Sequence, residues 1–203
     1  MSTLDEAFEK VFEPSAGDSR FEAEQKKRLR EAITELRKEP DWSGFKDYLE
    51  AQLSDNIDKL TPYILSDLRG KYHIELSMNR LADKIADEYD RFIKGMKQQP
   101  ADRIIEAAYE IVQKDDIREY CSGANHLLSQ EELDDLLAAD NLLDRLYNKW
   151  DELLEVHSLY DMDVMLEETA SDLKAERLER ERAMKQTDEL SDKQQRPIKH
   201  GWR

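Results

Sequence analysis

Glycine, cysteine, proline and basic residues are all scarce in this 203-residue sequence. It has 6 Gly, 1 Cys and 5 Pro, and 31 Lys+Arg face 47 Asp+Glu, for a formal net charge of −16. The single cysteine, Cys121, excludes an internal disulfide, so nothing points to an oxidising compartment. The shortage of glycine, with little Val or Thr and much Glu, Lys, Leu and Ala, argues against strands. The excess of acid excludes the usual basic nucleic-acid binder and favours cationic partners. Uncharged apolar runs are a few residues long, far short of the ~18 that span a bilayer. The first residues, Met1 to Glu9, hold neither a basic stretch nor an apolar core of the signal-peptide kind, so the expectation is a cytoplasmic protein.

What is present is helical punctuation. Pro14 and Gly17 close a short first helix that starts near Thr3. Asp18 is a candidate cap for a helix over 18–39, with Phe21, Leu29, Ile33 and Leu36 on one stripe and Pro40 at its end. Trp42, Phe45, Tyr48, Leu49 and Leu53 form an aromatic-rich helix. They read better as local core than as a base-stacking platform beside Lys46. Thr61-Pro62 reads as a cap and first helical residue, with Gly70 as the stop. Met78, Ala82, Ile85, Tyr89, Phe92 and Met96 repeat at 4-3-4-3-4 spacing, a packing seam. Pro100 opens a helix with Ile104, Ile105, Ala108, Ile111, Val112 and Ile117 inward. Ser129 to Glu132 is a capping box, and Asp140 or Asn141 caps the next helix, which buries Leu143, Leu146, Tyr147, Trp150, Leu153 and Leu154. A last helix carries Met162, Met165, Leu166, Ala170 and Leu173, then thins into a charged, disordered tail from Gln194.

The expected fold is therefore all-α, a multi-helix bundle of eight or nine helices. The expected division is an N-terminal helical subdomain over 1–72, an acidic helical domain over 73–176, and a charged extension and tail over 177–203.

Charge is concentrated. From Ser129 to Glu176 the chain holds 15 acidic and 3 basic residues, a net of −12 out of the total of −16. The carboxylates expected to project to solvent and meet a partner are Glu131, Glu132, Asp134, Asp135, Asp144, Asp151, Glu152 and Glu155. Neighbours at i and i+4 lie about 5–6 Å apart on a helix, a scale comparable to the phosphate repeat, so such a row can enter a phosphate-binding groove. The plain alternative is a solvated acidic face that keeps the protein in solution.

Other chemistry is thin. Glu131-Glu132-x-Asp134-Asp135 superficially resembles the paired acids of all-helical, Mg-dependent nucleotide pyrophosphohydrolases, yet a capping box also explains Glu132. Cys121 and His126 are too few for a structural zinc site, and His73, His157 and His200 stand apart. The sequence has no P-loop, no G-x-G-x-x-G and no Glu-x-x-His pair, so no catalytic, cofactor or metal residue is singled out and no cofactor is expected.

PADRIIEAAYEIVQKDDI at 100–117, LLAADNLLDRLYNKW at 136–150 and SLYDM at 158–162 resemble an uncharacterised family carried by conjugative and phage-like elements of Firmicutes. The likeness covers about residues 76–174. It implies a mobile-element origin and assigns no functional residue. Joined to the acidic strip, it raises the expectation of an inhibitor, of anti-CRISPR or anti-restriction type. Such a protein would block the basic groove of a host nuclease by nucleic-acid mimicry, touching neither nucleic acid nor membrane. The competing expectation is a non-inhibitory helical adaptor of a conjugative element, with the pyrophosphohydrolase as a remote third.

Overall fold

The computed structural model describes residues 8, 15–53, 56–123, 128–156 and 162–194, leaving out the side chains of 58, 154–156 and 187–194. Within them are eight α-helices and no strand: α1 Arg20–Leu36, α2 Trp42–Leu53, α3 Pro62–Met96, α4 Ala101–Glu106, α5 Ala108–Ser122, α6 Gln130–Ala138, α7 Leu142–Val156 and α8 Met162–Gln194. A 3-10 turn, Ile57–Lys59, precedes α3. The all-α multi-helix architecture is thus as the sequence leads one to expect. Apart from Phe8, the expected first helix near Thr3 lies outside the described residues, as does the tail beyond Gln194.

Two compact units divide between Leu76 and Ser77, within α3. In the first, Leu29 and Ile33 of α1, Phe45 and Leu49 of α2, and Leu65 and Leu68 of α3 form a core. Ser19, not Asp18, caps α1 through a reciprocal box with Glu22. Asp18 instead accepts from the Ser15 amide at 2.8 Å and from Lys26 at 2.9 Å. Phe45 is fully buried, so the aromatic cluster is core, as read from the sequence. Gly44 lets Tyr72 lie across α2, because a Cβ there would collide with the Tyr72 hydroxyl.

Gly70 does not stop its helix. The chain runs on as one 35-residue helix to Met96. A glycine inside a helix costs roughly 0.5–1 kcal/mol. Burial of Leu65 and Leu68 before it and of Met78, Leu81 and Ile85 after it offsets that easily.

In the second unit, α8 packs against both α6 and α7, and α7 also against α5. Leu133, Leu136, Leu142, Leu146, Met165 and Leu166 are completely buried. Asn141, in the left-handed region at φ 52°, turns the chain between α6 and α7. Two residues of α3, one turn apart, clamp this corner. The Lys84 ammonium donates to the carbonyls of Leu137 (2.7 Å) and Ala139 at the C-terminal end of α6. Glu88 accepts from the Leu143 amide (2.7 Å) at the start of α7. Each charge thus meets the helix end of opposite polarity. Burial holds Lys84 below the usual lysine range, with Glu88 and Asp140 working the other way.

Lys84→Met should lose about 1–2 kcal/mol in urea unfolding, since it leaves those carbonyls without a donor. Glu88→Gln, which keeps an acceptor, should lose less. Equal losses would show that the clamp works by bulk rather than by hydrogen bonding.

Candidate functional site

Each carboxylate singled out in the sequence has a definite place, and most are not free. Helix α6 starts at the Ser129 box. The Glu132 carboxylate accepts from the Ser129 amide at 2.7 Å, while the Ser129 hydroxyl accepts from the Glu132 amide. The Ser129 hydroxyl and amide together hold Glu132 below the usual carboxylate range. Asp134 is exposed and accepts from Gln130 at 2.8 Å. Glu131 and Asp135, one turn apart, face α8. Arg177 donates to Asp135 through Nε at 2.7 Å and Nη2 at 3.2 Å, and to Glu131 at 3.0 Å. Lys174 adds a bond to Glu131 at 2.9 Å. Asp135 is buried. Lys174 first, then Arg177, lowers the Glu131 pKa, and Asp135 and Glu131 raise that of Arg177.

Helix α8 is therefore a two-sided strap. Its bases Lys174 and Arg177 grip the acids of α6. Its acids Asp172 and Glu176 accept from the bases of α7, Lys149 at 2.7 Å and Arg145 at 2.9 Å. The expectation of eight solvent-facing carboxylates is corrected here. Asp135 is buried against α8, Glu132 is half-buried in a helix cap, and Glu131, still 56% exposed as expected, is paired with Lys174 and Arg177.

The outward face of α7 keeps its acidity better. Asp144, Asp151 and Glu152 are exposed and share one side, spaced i, i+7 and i+8. Asp151 makes no hydrogen bond or ion pair among the described residues. Glu152 meets Lys149 at 3.1 Å but stays 69% exposed. Asp144 accepts from Lys114 at 2.6 Å and stays 62% exposed. The Glu155 side chain lies outside the described residues.

Lys114 was invisible to sequence reasoning, which treats lysine as surface. Its side chain is 2% exposed, held between Glu110 and Asp144 at 2.6 Å each. Its ammonium lies 4.1 Å from the Phe92 ring centroid and 5.3 Å from that of Tyr147. Burial opposes its charge, but Asp144 and Glu110 outweigh burial and raise its pKa.

Among the described residues no three His, Cys, Asp or Glu side chains gather as a metal site. The pyrophosphohydrolase-like acids would have to give up Arg177, Lys174 and the Ser129 cap to hold Mg²⁺. Cys121 is buried at the end of α5, and burial pushes its thiol up to about 12, which leaves it unreactive at neutral pH. His126 lies outside the described residues. Helix α3 carries a row the sequence analysis passed over: Asp83, Asp87 and Asp90, exposed at i, i+4 and i+7, opposite the buried Met78–Leu81–Ile85 seam. No described helix is long and apolar enough to cross a membrane.

Fold and site together define an acidic, all-helical protein with carboxylate rows on α7 and α3. No family model, no curated protein and no solved structure matches the chain.

Proposed function

We propose that this chain is an acidic interaction module that docks on a cationic protein surface, with no chemistry of its own. Its finer form is a mobile-element inhibitor that occupies the nucleic-acid groove of a host nuclease. The observation that carries the reading is the α7 face. Asp144, Asp151 and Glu152 all stay exposed, Asp151 with no ion pair among the described residues, and Asp144 and Glu152 even while paired with Lys114 and Lys149. Asp134, on α6, adds a fourth carboxylate. A cationic groove would relieve the repulsion among these groups and be steered to them at low salt.

The test is competition. Added to a guide-loaded CRISPR nuclease, which holds nucleic acid in a positively charged channel, the chain should lower the fraction of duplex bound. Raising salt from 50 to 200 mM should weaken this effect. The variant Asp134→Asn with Asp151→Asn and Glu152→Gln should compete about tenfold less well. Undiminished competition by that variant would end the mimicry reading. No competition across a panel of restriction and CRISPR nucleases would end the inhibitor form.

A further inference from the structure

Helices α4 and α5 carry an apolar stripe that the fold does not use. Tyr109 and Val112 of α5, spaced i and i+3 on one side, are 53% and 55% exposed, and Ile105 of α4, just before the Ala107 break between the two helices, is 72% exposed. The sequence pattern turns Ile105, Ala108 and Val112 inward, but all three face water. Lys114 accounts for the difference. It takes a core position with Ile117 and Cys121, so the buried face of α5 is centred there and the apolar stripe is turned outward. Asp102 and Asp116, at the two ends of the stripe, are exposed and make no ion pair among the described residues. Helix α5, which carries Tyr109 and Val112, packs against α7: its Lys114 reaches Asp144 of the α7 row at 2.6 Å and lies 5.3 Å from the Tyr147 ring centroid.

We propose that Ile105, Tyr109 and Val112, with Asp102, Asp116 and the α7 row around them, form a docking site for a basic amphipathic helix. The inference rests on the reading of the chain as a cationic-partner module and names the partner element. The stripe covers about two turns, some 10 Å at 1.5 Å per residue. A helix of three to four turns can lay its own apolar face on it. Charge selects the occupant: a second copy brings another −16, an acidic helix is repelled by the rim, and a lysine-flanked helix finds carboxylates on the α7 side and at both ends.

The probe is a labelled 18-residue Leu/Lys peptide patterned as an amphipathic helix, titrated with the full chain by fluorescence anisotropy. Its controls are a scrambled peptide of the same composition and a Leu/Glu peptide of the same pattern. The patterned basic peptide should bind, with the scrambled and acidic peptides at least about tenfold weaker. Ile105→Ser with Tyr109→Ser and Val112→Ser, surface changes whose fold is checked by circular dichroism, should weaken binding by a similar factor. Asp151→Asn with Glu152→Gln should weaken it less and flatten its salt dependence.

If scrambled and patterned peptides bind alike and the serine variant is unaffected, the docking site is overturned while the charge-based module stands. If the serine variant loses binding but the Asp151/Glu152 variant and salt change nothing, the stripe is an apolar site and the cationic-partner reading falls. If no peptide binds, both fail. Self-association of the chain that the serine variant abolishes would make the stripe a homodimer face and overturn the proposal.

Discussion

Glu110→Gln combined with Asp144→Asn should cost the folded protein about 3 kcal/mol at neutral pH, the scale of stranding a buried charge. Lys114 is 2% exposed, with its ammonium enclosed by two carboxylates and two rings. Gln and Asn keep shape and an acceptor oxygen but remove the counter-charge. Lys114→Met should be the milder change, under about 1 kcal/mol. A thioether suits the slot between Phe92 and Tyr147. The carboxylates it leaves behind are 33% and 62% exposed and can turn to water. The order of these two variants in urea unfolding is the measurement. A more damaging Lys114→Met would show that the ammonium contributes net stability rather than being merely compensated.

The pH dependence has a defined sign. In the native chain the folded Lys114 pKa is raised, so its contribution is fully present below the unfolded lysine value of about 10.4 and is lost only as pH climbs through the folded value. Without its carboxylates burial dominates and the folded pKa is depressed. The unfolded state then binds more protons, and stability rises with pH at up to ~1.4 kcal/mol per unit. The gap between variant and native protein should therefore narrow from pH 7 to pH 10. A constant gap would show that the variant is damaged by packing rather than by charge.

What could be seen in the sequence was local. The capping box Ser129–Glu132 needs four residues in a row, and it formed. The Trp42–Phe45–Leu49 core needs a helical period alone, and Phe45 and Leu49 are fully buried. What escaped depended on partners distant in the chain. The acidic window ended at Glu176, one residue before Arg177, the cation that neutralises Asp135 across 42 positions. Lys114 takes a core position that its residue type does not announce; Ile117 is buried as expected, but Ile105, Ala108 and Val112 face water. Gly70 was read as a stop because local propensity ignores what the flanking turns bury. A linear charge count thus located the acidic region correctly and overstated how much of it reaches solvent.

In the N-terminal unit, Phe45→Ala should lose about 3–5 kcal/mol, by lost transfer energy plus the cavity left behind. The ring is 0% exposed. Trp42 packs edge-on at 6.3 Å, Tyr72 lies at 5.4 Å and the Arg69 guanidinium sits 4.8 Å over the ring. Arg69 is itself fixed by Glu39 and Asp41, and its hydrogen bond holds the Asp41 carboxyl below its usual range. Phe45 therefore joins the core to the polar loop between α1 and α2. Phe45→Leu separates the two roles, because it keeps most of the volume and removes the π-face. It should cost about 1–2 kcal/mol, and a double-mutant cycle with Arg69→Met should return a coupling of about 0.5–2 kcal/mol. A coupling near zero would mean that Arg69 is held by its two carboxylates alone and that the ring beneath it serves only to fill space.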